Sequence, residues 1–240
     1  MWGTAQFALL AAAVSLGAMV QGSVGLGLGL VAAPIVTLVD ASLMPGVMLC
    51  LAAVLPLLTL AHEWRATDWR GIGWSLSGRL PGTLLGVLVV SAVSTRLLGL
   101  LVGCMVLVAV ALTVRVVRLP MRPAVLLGAG AVSGVTGTAT SIGGPPVALV
   151  YQHVSGPRLR ATMAAYFLLG SLVSLAALAA AGELRAEQAT TALALSPFLL
   201  VGFGLAQVVR RYVDAGRTRS AVLGVCAASA TVLLVRSILG

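Results

Sequence analysis

The stretch GVTGTATSIGGPP, Gly134 to Pro146, lies inside a long apolar run and decides how the chain is read. Glycine at that density leaves the backbone unrestrained. The two prolines that follow remove N–H donors and clash with the preceding turn, so a helix entering this stretch unwinds. A second cluster of the same kind, GSVGLGLGLVAAP, runs from Gly22 to Pro34. Sliding the chain by 112 positions lays one on the other: Gly22 meets Gly134, Gly25 meets Gly137, Pro34 meets Pro146 and Pro45 meets Pro157, with Ala52 and Ala53 on Ala164 and Ala165. A shift of 116 pairs Pro81 and Gly86 with Pro197 and Gly202, as though a loop differed in length. The chain reads as an internal duplication, repeat 1 over about residues 5–114 and repeat 2 over about 123–238.

Around these clusters 60% of the 240 residues are hydrophobic and 9% charged, too few polar groups to cover a soluble domain of this size. The lipid bilayer is the expected solvent, and residues 1–240 form one membrane domain. A spanning helix needs about 20 mostly apolar residues. Eight apolar segments can be drawn: 5–38, 45–61, 70–93, 96–114, 123–151, 161–181, 189–209 and 220–238. The fold class is therefore an all-α, polytopic helical bundle. Its first and fifth segments, which hold the glycine clusters, are too long and too broken to be plain spans. The run from Phe7 to Val20 lacks the positive flank of a signal peptide and continues into the first cluster, so it reads as part of the mature protein.

Arginine positions orient the segments, because cytoplasmic loops attract basic residues. If all eight segments cross, fourteen arginines divide seven against seven. If the fifth segment enters and returns on its own side, Arg65, Arg70, Arg115, Arg118, Arg122, Arg158, Arg160, Arg210, Arg211, Arg217 and Arg219 share one face against Arg96, Arg185 and Arg236. The duplication extends the same behaviour to the first segment. The expectation is two inverted four-segment repeats, each a re-entrant hairpin followed by three crossings. Both termini then lie outside a cell inner membrane. Broken helices meeting near the midplane of inverted repeats are the usual build of secondary transporters.

Unwound backbone at membrane depth is tolerated where protein buries it or where it lines a cavity, so the two clusters are the expected substrate site. Half-helix N-termini there would direct N–H groups and the positive end of the helix dipole at an anion. The first cluster offers Gln21, Gly22, Gly25, Gly27, Gly29 and Pro34. The second offers Gly137, Thr138, Thr140, Ser141, Gly143, Gly144, Pro145 and Pro146, followed by Tyr151 beside Gln152. Ser133 and Thr136 add hydroxyls, although Ser and Thr also serve as packing groups in membrane helices. Arg79 lies nine positions beyond Arg70, roughly 13 Å along a helix. It either lines an internal pathway as a counter-charge or snorkels to the headgroups. All six acidic residues, Asp40, Glu63, Asp68, Glu183, Glu187 and Asp214, sit in or beside loops. Cation and proton carriers place carboxylates within the membrane, so donors with a deep arginine point to an anion.

Other classes fit poorly. The 15 basic residues are scattered between apolar runs, which argues against a nucleic-acid partner. Cys50, Cys104 and Cys226 lie in apolar segments and imply neither a disulfide framework nor a metal site. Gly25, Gly27 and Gly29 lack the strand and acidic residue of a dinucleotide fold, and no Walker lysine exists. No cofactor and no catalytic constellation is expected. Within transport, a small-carboxylate carrier and a passive anion channel remain alternatives. A membrane scaffold without its own substrate is the alternative of another class. Its support is small-xxx-small pairs such as Gly82 with Gly86 and Gly99 with Gly103, which suit helix packing within the chain or in a homo-oligomer.

The same residues resemble the TauE/SafE family of membrane permeases, also called the sulfite exporter or toluene-sulfonate uptake family. The similar features are QGSVGLGLGLVAAP at Gln21 to Pro34, TATSIGGPP at Thr138 to Pro146, DWR at Asp68 to Arg70, PGTLLG at Pro81 to Gly86 and GPRLRAT at Gly156 to Thr162. The resemblance covers nearly the whole chain. The first half departs from it, with alternating glycines where many members carry a denser glycine run. The resemblance implies two related halves and export or uptake of sulfite, sulfonates or related sulfur-containing organic anions.

Overall fold

The computed structural model describes residues 3–114, 119–212 and 215–239. Arg115, Arg118 and Asp214 lie outside the described residues, and only the backbone is described at Arg210, Arg211, Arg217 and Arg219. The described residues form ten α-helices and no strands: α1 (Thr4–Val24), α2 (Leu28–Val39), α3 (Gly46–Glu63), α4 (Trp69–Ala92), α5 (Thr95–Val114), α6 (Pro123–Thr140), α7 (Gly144–Tyr151), α8 (Gly156–Ala180), α9 (Ala186–Tyr212) and α10 (Ala215–Leu239). Six of them, α1, α3, α4, α5, α8 and α9, are long and apolar enough to cross a membrane.

Both expected breaks are present. Helix α1 stops at Gly25, which adopts the left-handed conformation (φ 96°) that glycine enters without steric cost, and its N–H closes on the Gln21 carbonyl at 2.7 Å. Helix α6 stops at Ser141, also left-handed (φ 60°), with its N–H on the Gly137 carbonyl at 3.0 Å. Pro145 and Pro146 then stand in the first turn of α7, where a missing N–H does no harm. The shift of 112 that pairs the glycines does not superpose these caps, because Gly25 corresponds to Ser141 at 116. Since Pro45 and Pro157 still match at 112, the arm following the second break is four residues shorter. Pro34 accordingly lies inside α2, whereas its partner Pro146 begins α7.

Helix directions follow from close contacts. Helices α4 and α6 run side by side in the same direction, Gly78 against Leu127, Gly82 against Ala131 and Gly86 against Thr138, so near that a Cβ on any of these glycines would strike the partner helix. Small residues permit such backbone approach where lipid supplies no hydrophobic drive. Helices α1 and α9 do likewise, with the Ser15 hydroxyl on the Phe198 carbonyl at 2.9 Å and Gly22 against Phe203 and Ala206. Gly99 and Gly103 seat α5 on Ser237 and Leu234 of α10. Both small-xxx-small pairs are thus used within the chain. Helices α3 and α8 are antiparallel: Glu63 meets Arg160 at one end, and Gly46 at the other meets Gln188 in the first turn of α9, one short loop beyond the end of α8.

These contacts place the start of α6 and the end of α7 at one end of the bundle, where α4 begins and Tyr151 abuts Gly71. The start of α1 and the loop after α2 lie at the opposite end, where α9 begins. Arg65, Arg158 and Arg160 gather with Asp68 and Glu63 at the first end, whereas Arg96, Arg185 and Arg236 cluster with the loop after α2 and the ends of α9 and α10 at the second.

Candidate functional site

The two breaks meet. A Cβ on Gly29 would lie 2.6 Å from the Ser141 carbonyl oxygen, and one on Gly144 would strike Leu26 and Phe167. Between them is a cavity of about 20 Å³, room for a single water, lined by Gln21, Gly27, Gly29, Ser141, Gly144 and Pro145 together with Leu26, Met48, Ala52, Ile142 and Phe167. None of the lining residues is acidic. Gln21 caps α2: its Oε1 accepts from the Leu28 N–H at 3.1 Å. The Gly29 and Leu30 amides of the same turn have no acceptor among the described residues. Unpaired N–H groups at a helix start are what an anion seeks. At the start of α7 the two prolines, Pro145 and Pro146, carry no N–H, which leaves the Gly143 and Gly144 amides as the backbone donors of that half-helix.

The remaining sequence candidates occupy other surroundings. Gly22 packs on α9 and Gly25 on Arg160, while Pro34 is buried in α2. Thr138 shares a hydrogen bond with Ser174 at 2.8 Å, and Thr140 donates to the Thr136 carbonyl at 2.7 Å. The Ser141 hydroxyl donates to the Pro45 carbonyl at 3.0 Å. Tyr151 is fully buried away from the cavity and donates to Asp68 Oδ2 at 3.1 Å, fastening the end of α7 to the start of α4. Asp68 also accepts from the Gly71 N–H at 3.1 Å as the N-cap of α4, and pairs with Arg158 at 3.3 Å. Burial would raise its pKa, but these three partners outweigh that and hold the carboxyl below the usual carboxylate range.

Arg79 does not snorkel. It is 3% exposed and stays in the seam between α4, α6 and α8. Nη1 donates to Ser133 Oγ at 3.2 Å and to the Tyr166 hydroxyl at 3.3 Å, and Nη2 donates to Ser174 Oγ at 3.1 Å. The cation lies 5.2 Å from the centre of the Tyr166 ring. Gly137 and Gly170 flank it, each leaving room that a Cβ would take. Ser133 in turn donates to the Gly143 carbonyl, so the guanidinium is linked through one hydroxyl to the second break. It forms no ion pair with a described residue, and its Nε has no partner. Ser75 Oγ and Thr83 Oγ1, one turn to either side on α4, are likewise buried without partners.

Sequence reasoning passed over Tyr166, Gly170 and Ser174. Their signal was a four-residue rhythm of polar and small residues, Thr162, Tyr166, Gly170, Ser174, along the part of α8 that follows Arg160 and is apolar apart from Ser171. The same rhythm on α4 runs Ser75, Arg79, Thr83. The cavity's apolar wall, from Leu26, Met48, Ala52, Ile142 and Phe167, carried no signal, because such residues look the same facing lipid.

No curated protein and no solved structure matches the chain. The family model described as sulfite exporter TauE/SafE matches residues 9–233, nearly the whole chain. That family consists of membrane transporters of sulfur-containing anions rather than enzymes. A helical membrane bundle with two breaks that meet across a shared cavity, matched by this model over residues 9–233, the chain belongs to the TauE/SafE sulfite exporter family.

Proposed function

We propose that the chain is a secondary permease of a cell inner membrane for a small anion: sulfite, a sulfonate or a related sulfur-containing organic anion. In this reading its halves are inverted repeats, the broken helices are re-entrant, and the anion binds where the two breaks meet. The observation that carries it is a carboxylate-free cavity lined by residues of both breaks, with unpaired α2 amides on its wall. Arg79 supports it: a buried charge without a partner carboxylate is strongly unfavourable, and through Ser133 this cation is linked to the Gly143 carbonyl of the second break, where its field favours an anion. The inversion is supported by the pairing of α4 with α6 and of α1 with α9, equivalent pairs once the halves are exchanged. The re-entrant reading is supported by each hairpin having both outer ends at one end of the bundle. The arginine distribution between the ends supports the arginine-rich end as cytoplasmic.

The test is uptake of radiolabelled sulfite and of a sulfonate into proteoliposomes, with Arg79→Ala as control. Concentrative uptake that collapses with an ionophore and is absent in Arg79→Ala supports the proposal. Movement of small carboxylates alone would replace the substrate class, passive flux would indicate a channel, and neither binding nor flux would leave a scaffold.

A further inference from the structure

We infer that the two ends of the central cavity are closed by two chemically different gates, an ionic one built on Glu63 and Arg160 and a neutral one built on Gln188. The inference rests on the permease reading above. A cavity of about 20 Å³ holds one water and not an anion of four or more heavy atoms, so the elements that close around it must part before an anion enters.

At the arginine-rich end the seal joins the start of α8 to the end of α3. Arg160 Nε donates to Glu63 Oε1 and Oε2 at 3.2 and 3.1 Å, and Nη2 donates to Oε1 at 2.7 Å, with both side chains 18% exposed. This forked geometry is the strong form of the ion pair. Arg160 also carries the tip of the first hairpin: a Cβ on Gly25 would lie 3.1 Å from its Cα and 3.2 Å from its Cγ. The α1–α2 hairpin comes from the opposite end, so its tip reaches toward the arginine-rich end and rests on this pair.

At the other end Gln188, 2% exposed in the first turn of α9, grips the loop after α2. Its Nε2 donates to the Ser42 carbonyl at 2.9 Å and the Met44 carbonyl at 3.4 Å, and its Oε1 accepts from the Arg185 N–H at 3.2 Å. That loop runs into Pro45, whose carbonyl receives the Ser141 hydroxyl of the second break. The two ends therefore repeat one plan. At each end the start of a helix from the second half clasps one end of α3, and the clasp holds the tip of the hairpin that arrives from the far side. What differs is the chemistry. Arriving anions compete with Glu63 for Arg160, so the first gate loosens with ionic strength, whereas an amide on carbonyls is indifferent to salt.

The test places one reporter, Ala52→Cys, on the cavity wall of a full-length chain whose Cys50, Cys104 and Cys226 are alanine. A membrane-impermeant maleimide is applied to right-side-out and to inverted vesicles. Glu63→Gln should raise the labelling rate roughly tenfold from one face only, the value of losing about one charge-assisted hydrogen bond. Gln188→Leu should raise it from the other face only. Exchanging the pair, Glu63→Arg with Arg160→Glu, should return labelling to the wild-type rate, which separates a gate from a damaged fold. Both variants opening the same face, or Glu63→Gln leaving both faces closed, would overturn the inference. Wild-type sulfite uptake is scored separately: face-specific opening without any anion uptake removes the permease reading and leaves the gates, and uptake with unchanged labelling does the reverse.

Discussion

Replacing Gly170 with alanine tests the Arg79 seam where its geometry is tightest. An added Cβ would lie 2.6 Å from both Cζ and Nε of Arg79 and 2.9 Å from Nη1, against an ordinary contact of at least 3.4 Å, so the guanidinium must retreat by about 0.8 Å. Its hydrogen bonds are already 3.1 to 3.3 Å long, and such a shift carries at least one beyond bonding range. Overpacking costs about 1–3 kcal/mol and a lost charge-assisted hydrogen bond about 1.5–3 kcal/mol. Against this, glycine to alanine inside a helix ordinarily gains about 0.5–1 kcal/mol. The expected net loss is about 2–4 kcal/mol with impaired sulfite uptake. Gly128→Ala is the matched control: it sits on an exposed face of α6 with nothing within 4 Å, and only the small gain applies. Thermal unfolding in detergent and proteoliposome uptake read both variants. If Gly170→Ala melts and transports like Gly128→Ala, the seam is not as tight as described and Arg79 is not held by it.

Arg79→Met keeps volume and removes charge. Ser133 with Tyr166 and Ser174 with Thr138 retain their mutual hydrogen bonds, so the variant should insert and fold while losing anion uptake; normal uptake would remove Arg79 from the mechanism. Tyr151→Phe should cost about 1 kcal/mol by removing one donor from Asp68, read as a lowered melting temperature at pH 7. The depressed Asp68 pKa contributes stability that is complete above the unfolded value of about 3.9 and is lost as pH falls through the lower folded value. Wild-type melting temperature should therefore drop more steeply than that of Asp68→Asn below about pH 4, and parallel curves would refute the assignment.

How much of this was legible beforehand depends on the kind of signal. Gly22 to Pro34 and Gly134 to Pro146 announced both breaks, because glycine freedom and proline's missing N–H act on the local backbone whatever surrounds it. Arg79 was visible as a charge far inside an apolar run. Its surroundings were not: Tyr166 and Ser174 lie 87 and 95 positions away, and their rhythm on α8 gains meaning only once α4 and α6 are packed against it. Tyr151 shows the converse. Adjacent in sequence to the second break, it is carried by the turn of α7 onto Asp68 and away from the cavity.

Composition and local backbone chemistry determined by themselves that the chain lives in a bilayer as helices and that two of those helices are interrupted. Only the tertiary structure decided that the interruptions face one another across a shared cavity and that Arg79 lies behind one of them. Helix breaking is a property of a few consecutive residues. Which break meets which is set by glycine-lined contacts between helices 49 or more residues apart, such as Gly78 on Leu127 and Gly22 on Phe203.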